Sequence, residues 1–175
     1  MKLGEGEKAG PITDFLVKDH GRLEGLLQSA VAQAGTVDQG TYDQFRAGLL
    51  RHIGMEEKIL LPAAQRLRGG EPLPIAAKLR LDHGAIASLL MPPPTAAVIA
   101  TIRAVLKVHN TIEEGPGGLY ETCDELATSE AAQLLTKLQA APELAVLPCS
   151  DSPAVMPAVQ RALERAGYGF IEGTI

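Results

Sequence analysis

The 175-residue chain has no tryptophan, and only 3% of it is aromatic. A core without large rings must be filled by Leu, Ile, Val and Ala, and an apolar content of 46% is ample for one domain of this length. Cysteine is scarce too. Two residues, Cys123 and Cys149, make no disulfide framework, so a reduced, cytoplasmic setting is the expectation. Nothing basic flanks either thiol, which argues for inert cysteines. No Lys/Arg-rich run offers phosphates a footprint, and the formal charge of -5 argues against a nucleic-acid partner. No window approaches the ~18 apolar residues of a membrane helix. Met1 to Gly10 is polar and Gly-rich, lacks the apolar stretch of a signal peptide, and reads as a loose arm.

What is present is helical punctuation. Pro11 and Thr13 start a helix, with Thr13 as its N-cap, and the stripe Leu16, His20, Leu23, Leu27, Val31 runs on to Gly35. Asp38 or Thr41 caps a second helix carrying Phe45, Leu49, His52, Met55, Glu56, Ile59 and Leu60. Pro62 kinks it or starts a fresh turn before Arg68-Gly69-Gly70. A third helix carries Leu79, His83, Ile86 and Leu90 and stops at Pro92-Pro93-Pro94. Thr95 caps a fourth with Ile102, Val105, Leu106 and His109. Gly115-Pro116-Gly117-Gly118 interrupts it, and helical character resumes from Leu119 to Leu138. No two-residue alternation of useful length appears before residue 140. The reading is all-α.

The four histidines of the chain all fall on these apolar stripes. In antiparallel helices joined by a turn, residues equidistant from the turn lie at one height. The midpoint of His20 and His52 is position 36, beside Gly35. That of His52 and His83 falls between 67 and 68, beside Gly69-Gly70, and that of His83 and His109 is 96, just past Thr95. An up-down-up-down four-helix bundle would therefore bring all four to one level. Glu56 and Glu113 each lie four residues after a histidine, on the same helix face.

One histidine on an apolar face is ordinarily a hydrogen-bonded core residue. Four at one height, with two buried carboxylates that need positive compensation, point instead to metal. Two divalent ions, each held by two histidines and bridged by Glu56 and Glu113, satisfy every group. Imidazole with carboxylate suits iron, manganese, zinc or copper and disfavours calcium and magnesium. The spacing also differs from the Glu-x-x-His arrangement of ferritin-like sites.

The run His20, His52-x-x-x-Glu56, His83, His109-x-x-x-Glu113 resembles the hemerythrin-like HHE cation-binding family. Asp19-His20 and Asp82-His83 look like that family's helix openings, and Glu56-Glu57-x-x-Leu60-Leu61-Pro62 and Glu113-Glu114…Leu119-Tyr120 look like its paired-acid endings. The resemblance covers about residues 13 to 127. It implies a non-haem di-iron site with histidines terminal and carboxylates bridging beside an oxo or hydroxo group; zinc or manganese is possible. His20, His52, Glu56, His83, His109 and Glu113 would be the ligands. The oxygen-carrying members have a further histidine where Ala87 stands and a final Asp rather than Glu113, so the pattern is closer to the branch with four histidines and two glutamates.

Glu24 is a possible seventh ligand, though a solvent position is the expectation for it. Tyr120 can reach the site or sit in a partly wet core. Glu57 and Glu114 read as solvated or as hydrogen-bonded behind the ligands. Asp19 and Asp82 can accept from an imidazole of a neighbouring helix, with surface salt bridging as the plainer alternative. Residues 1–140 form the hemerythrin-like bundle in this reading. Residues 141–175 form an extension without assigned chemistry: loop over Pro142 to Pro153, a short helix over Pro157 to Ala166, then Tyr168 to Ile175 extended or disordered. The expected function is binding or sensing of O2 or NO, or iron handling. Alternatives are a di-iron enzyme of the oxidase or iron–sulfur repair type, and a structural zinc bundle. No membrane partner is expected, and oligomeric state is not readable.

Overall fold

The apolar stripe through Leu16, Leu23 and Leu27 becomes the buried face of α1 (Pro11–Ala30). The structure, a computed structural model, describes residues 8–172. The expected arm over Met1 to Gly10 therefore lies mostly outside the described residues, as does the end of Tyr168 to Ile175. Thr13 does not cap α1. The helix begins earlier, with Pro11 in its first turn after Gly10, where proline's missing N–H costs nothing. The free N–H groups of Ile12 and Thr13 instead donate to the carboxylate of Asp124, at 3.0 and 2.9 Å, and the Thr13 hydroxyl donates to it at 2.6 Å. A Cβ on Gly10 would run into that carboxylate, so glycine allows the cap to arrive from another helix.

Asp38 caps α2 (Gln39–Met55) by accepting the Thr41 N–H at 2.7 Å. The same helical arm continues through a π turn (Glu56–Leu60) into α3 (Leu61–Leu67). Pro62 has no N–H, and its ring crowds the carbonyl four residues back. The arm meets this by widening just upstream, where the Leu61 N–H reaches the Glu56 carbonyl five residues away. Pro62 therefore shows itself as a π turn. After Gly69-Gly70 comes α4 (Ala76–Leu89). Then α5 (Ala96–Glu114) opens with Thr95 accepting the Val98 N–H at 3.2 Å.

The Gly-Pro-Gly-Gly break ends α5, and the chain resumes as α6 (Leu119–Ala127), a 3-10 turn (Thr128–Glu130) and α7 (Ala131–Gln139). The result is an all-helical, hemerythrin-like bundle of four antiparallel arms, α1, α2 through α3, α4, and α5 with α6. Within it α1 lies against α2, and α4 lies against α5. Helix α8 (Val155–Ala166) packs along α4.

Two apolar clusters fill the bundle. One gathers Leu23, Leu27, Phe45, Leu49, Ile86, Leu89, Ile102 and Val105. The other gathers Ile12, Leu16, Met55, Leu60, Leu79, Leu119 and Tyr120. On every arm the histidine falls between a residue of one cluster and a residue of the other, so a polar belt crosses the bundle between two dry ends. No helix among the described residues is long and apolar enough to cross a membrane.

Candidate metal centre

The structure brings all six expected donors into that belt. His20 comes from α1, His52 from α2, Glu56 from the start of the π turn, His83 from α4, and His109 and Glu113 from α5. All are buried, and Glu56 and Glu113 have no exposed surface at all. The rings of His20 and His52 stand 4.5 Å apart between centroids, those of His83 and His109 4.9 Å.

Each imidazole is aimed by a carboxylate behind it. His52 Nδ1 lies 2.8 Å from Asp19 Oδ2, and His109 Nδ1 lies 3.3 Å from Asp82 Oδ2. His83 Nδ1 lies 2.6 Å from Glu57 Oε1, and His20 Nδ1 is paired with Glu114. With Nδ1 occupied on every ring, each Nε2 turns to the centre of the belt. The two halves of the chain repeat one device. An Asp-His pair on the first helix meets a His-x-x-x-Glu-Glu run on the second, the Asp serving the partner helix's histidine. The second Glu of each run crosses to the other half.

At the centre the Nε2 atoms and the two carboxylates form two groups that could each hold a metal ion, their donor atoms all within 4.8 Å of one another: His20, His52, Glu56, Glu113, and Glu56, His83, His109, Glu113. Glu56 and Glu113 belong to both. Glu56 turns Oε1 to His52 at 3.2 Å and Oε2 to His83 at 3.0 Å. Glu113 turns Oε2 to His20 at 3.4 Å and Oε1 to His109 at 3.0 Å. His83 Nε2 approaches Glu56 and Glu113 along no hydrogen-bonding direction. His83 Nε2, Glu56 Oε2 and Glu113 Oε1 are buried without a hydrogen-bond partner among the described residues, the last although His109 Nε2 lies 3.0 Å away. Such atoms are costly to bury unless something binds them. A cation among them fits.

The electrostatics say the same. Burial pulls His52, His83 and His109 down, but the carboxylates around them outweigh it and lift them to about 10, about 10 and about 9. Burial pushes Glu113 up, yet the imidazoles of His109, His20 and His83 hold it well below the ordinary carboxylate range. Glu56 is raised by burial and by Glu113, and still ends lowered by His52 and His83. Asp19, raised by burial and lowered further by His52 and Arg22, sits at about 2. The belt is thus a set of buried anions whose stability depends on positive charge, supplied by protons or by metal.

Of the uncertain positions, Glu24 is exposed and accepts from Gln28 at 3.1 Å, away from the belt. Asp19 and Asp82 take the imidazole role and add the salt bridges, to Arg22 at 2.7 Å and Lys78 at 2.5 Å. Tyr120 is fully buried, and its hydroxyl reaches into the belt. Burial and the charges of Glu56 and Glu113 push its phenol well above the ordinary range.

A family model described as the hemerythrin HHE cation binding domain matches residues 12–140. The chain belongs to this family. No curated protein and no solved structure matches it. As an HHE domain with a buried His/Glu cluster, the protein has the character of a cation binder. The match ends at residue 140, before α8.

Proposed function

We propose that this HHE protein is a non-haem di-iron protein that binds or senses O2 or NO, or handles iron. The observation that carries the reading is the sharing of Glu56 and Glu113 between two histidine pairs. His20 and His52 would hold one ion and His83 and His109 the other, each carboxylate lending one oxygen to each. Mixed imidazole and carboxylate donors suit first-row transition metals, and the likeness of the ligand run to di-iron members of the family favours iron over manganese or zinc. Two nitrogens and two oxygens per ion would leave bound iron room for a further small ligand. A bound iron pair would supply reversible redox chemistry and affinity for diatomic molecules. The chain's own part is to fix the imidazole tautomers, keep Glu56 and Glu113 ionised and hold the six donors between two apolar clusters.

Metal analysis of freshly purified protein with an absorption spectrum tests this. The expected result is about two irons per chain and near-ultraviolet charge-transfer bands that shift with azide, O2 or NO. Zinc alone, with no such bands after anaerobic iron loading, would defeat the proposal and leave a structural zinc bundle. Sustained multiple turnover in an oxidase assay would move the reading to a di-iron enzyme.

A further inference from the structure

We infer that Tyr120 is a seventh metal donor and that it serves only the ion held by His20 and His52. The inference rests on the metal reading above and makes the two ions of that site unequal. The Tyr120 oxygen lies 2.6 Å from Glu56 Oε1, 3.0 Å from Glu113 Oε2 and 3.1 Å from Nε2 of both His20 and His52. Those atoms belong to the four residues of one group, and the oxygen makes no hydrogen bond to the second group's own histidines among the described residues. A phenol has one proton to give and two lone pairs, too few for four hydrogen bonds. A cation held by these four side chains would have the phenol oxygen as a further donor beside it. On binding, the O–H bond breaks, an oxygen–metal bond forms and the proton leaves to solvent.

The backbone explains why this tyrosine arrives there. Beyond Glu56 the first half of the chain continues as a π turn and delivers Leu60 and Leu61, both buried, to the apolar cluster. Beyond Glu113 the second half breaks at Gly115-Pro116-Gly117-Gly118 and restarts as α6. Gly117 takes a φ of +69°, and a Cβ on Gly118 would lie 2.6 Å from the carbonyl oxygens of Ile112 and Glu113. This tight reversal brings Tyr120, seven residues after Glu113, back over the belt. The internal repeat is broken here, and the break places an oxygen donor on one side. On the other side Ala87, one turn beyond His83, has no donor atom, and the unpartnered atoms of Glu56, His83 and Glu113 remain.

A purely structural tyrosine would donate to Glu56 and stay electronically separate from the metal. Visible absorption and resonance Raman spectra of the ferric full-length protein separate the cases. Metal-bound Tyr120 gives a phenolate-to-iron band with enhanced ring modes, lost in Tyr120→Phe while both irons stay. Two irons bound without that band overturn the inference, as does a band that survives in Tyr120→Phe. The unmodified chain supplies the Raman result, so a variant that misfolds does not block the decision. Failure of the wild-type chain to take up iron would instead overturn the di-iron reading, and this inference with it.

Discussion

A histidine that binds metal through Nε2 needs its other nitrogen held, or the ring turns and the tautomer is lost. All four imidazoles here have that support, but its quality differs. Asp82 is fully buried behind His109, whereas Glu57, behind His83, keeps 28% of its side-chain surface in water. Solvent screens the second contact and not the first. Asp82→Asn should therefore weaken metal binding by about 10–100-fold in chelator competition, the range for lost outer hydrogen bonds to ligands. Glu57→Gln should cost less. Equal losses would mean that burial does not set the strength of these supports. Under the proposed pairing, His83→Ala should leave about one ion of two by metal analysis, because His20 and His52 would still hold one with Glu56 and Glu113. Loss of both ions would show that neither site fills alone.

The helical arms turn irregular beside the histidine belt. Both arms that supply a shared carboxylate lose regular α geometry just past it, one by a π turn and the other by the glycine break. A different strain is met at the start of α1, where no local side chain caps the helix and Asp124 reaches over from α6. A carboxylate accepting two first-turn N–H groups also meets the positive end of the helix dipole. Asp124→Ala should cost about 1–2 kcal/mol, the upper range for a lost cap, read as a lower urea midpoint with an unchanged slope. An unchanged midpoint would mean water replaces the cap. This cap also marks the limit of what the residues reveal locally. Asp38 and Thr95 were readable as caps because each bonds a backbone N–H three residues on. Asp124 was not, since its partners lie more than a hundred positions away. The histidine level was legible because bundle symmetry turns sequence spacing into height. The aim of Tyr120 was not, because it depends on how the four residues before α6 fold back.

At the scale of the molecule, the belt divides the core, and the segment beyond residue 140 bears on one side of it. Val159, Leu163 and Ala166 of α8 belong to the same apolar cluster as Ile86 and Leu89 of α4. Just past α8, the Tyr168 hydroxyl donates to Asp82 Oδ2 at 3.1 Å, the oxygen that faces His109. Lys78 joins them, donating to Asp82 and, at 2.7 Å, to the carbonyl of Ala166. The extension thus has both a packing role and a hold on the carboxylate behind His109, and the two can be separated. Leu163→Ala removes a buried side chain at a cost of about 2–5 kcal/mol, a large share of the roughly 5–15 kcal/mol that stabilises a domain. It should lower the melting temperature of metal-free and metal-loaded protein alike. Tyr168→Phe removes a single hydroxyl from the rim of the belt, leaving the ring over Lys78. It should scarcely change the metal-free melting temperature, yet it should shrink the rise in melting temperature that metal binding brings. If Tyr168→Phe lowers both forms equally, the extension acts on the fold alone and has no separate hold on His109.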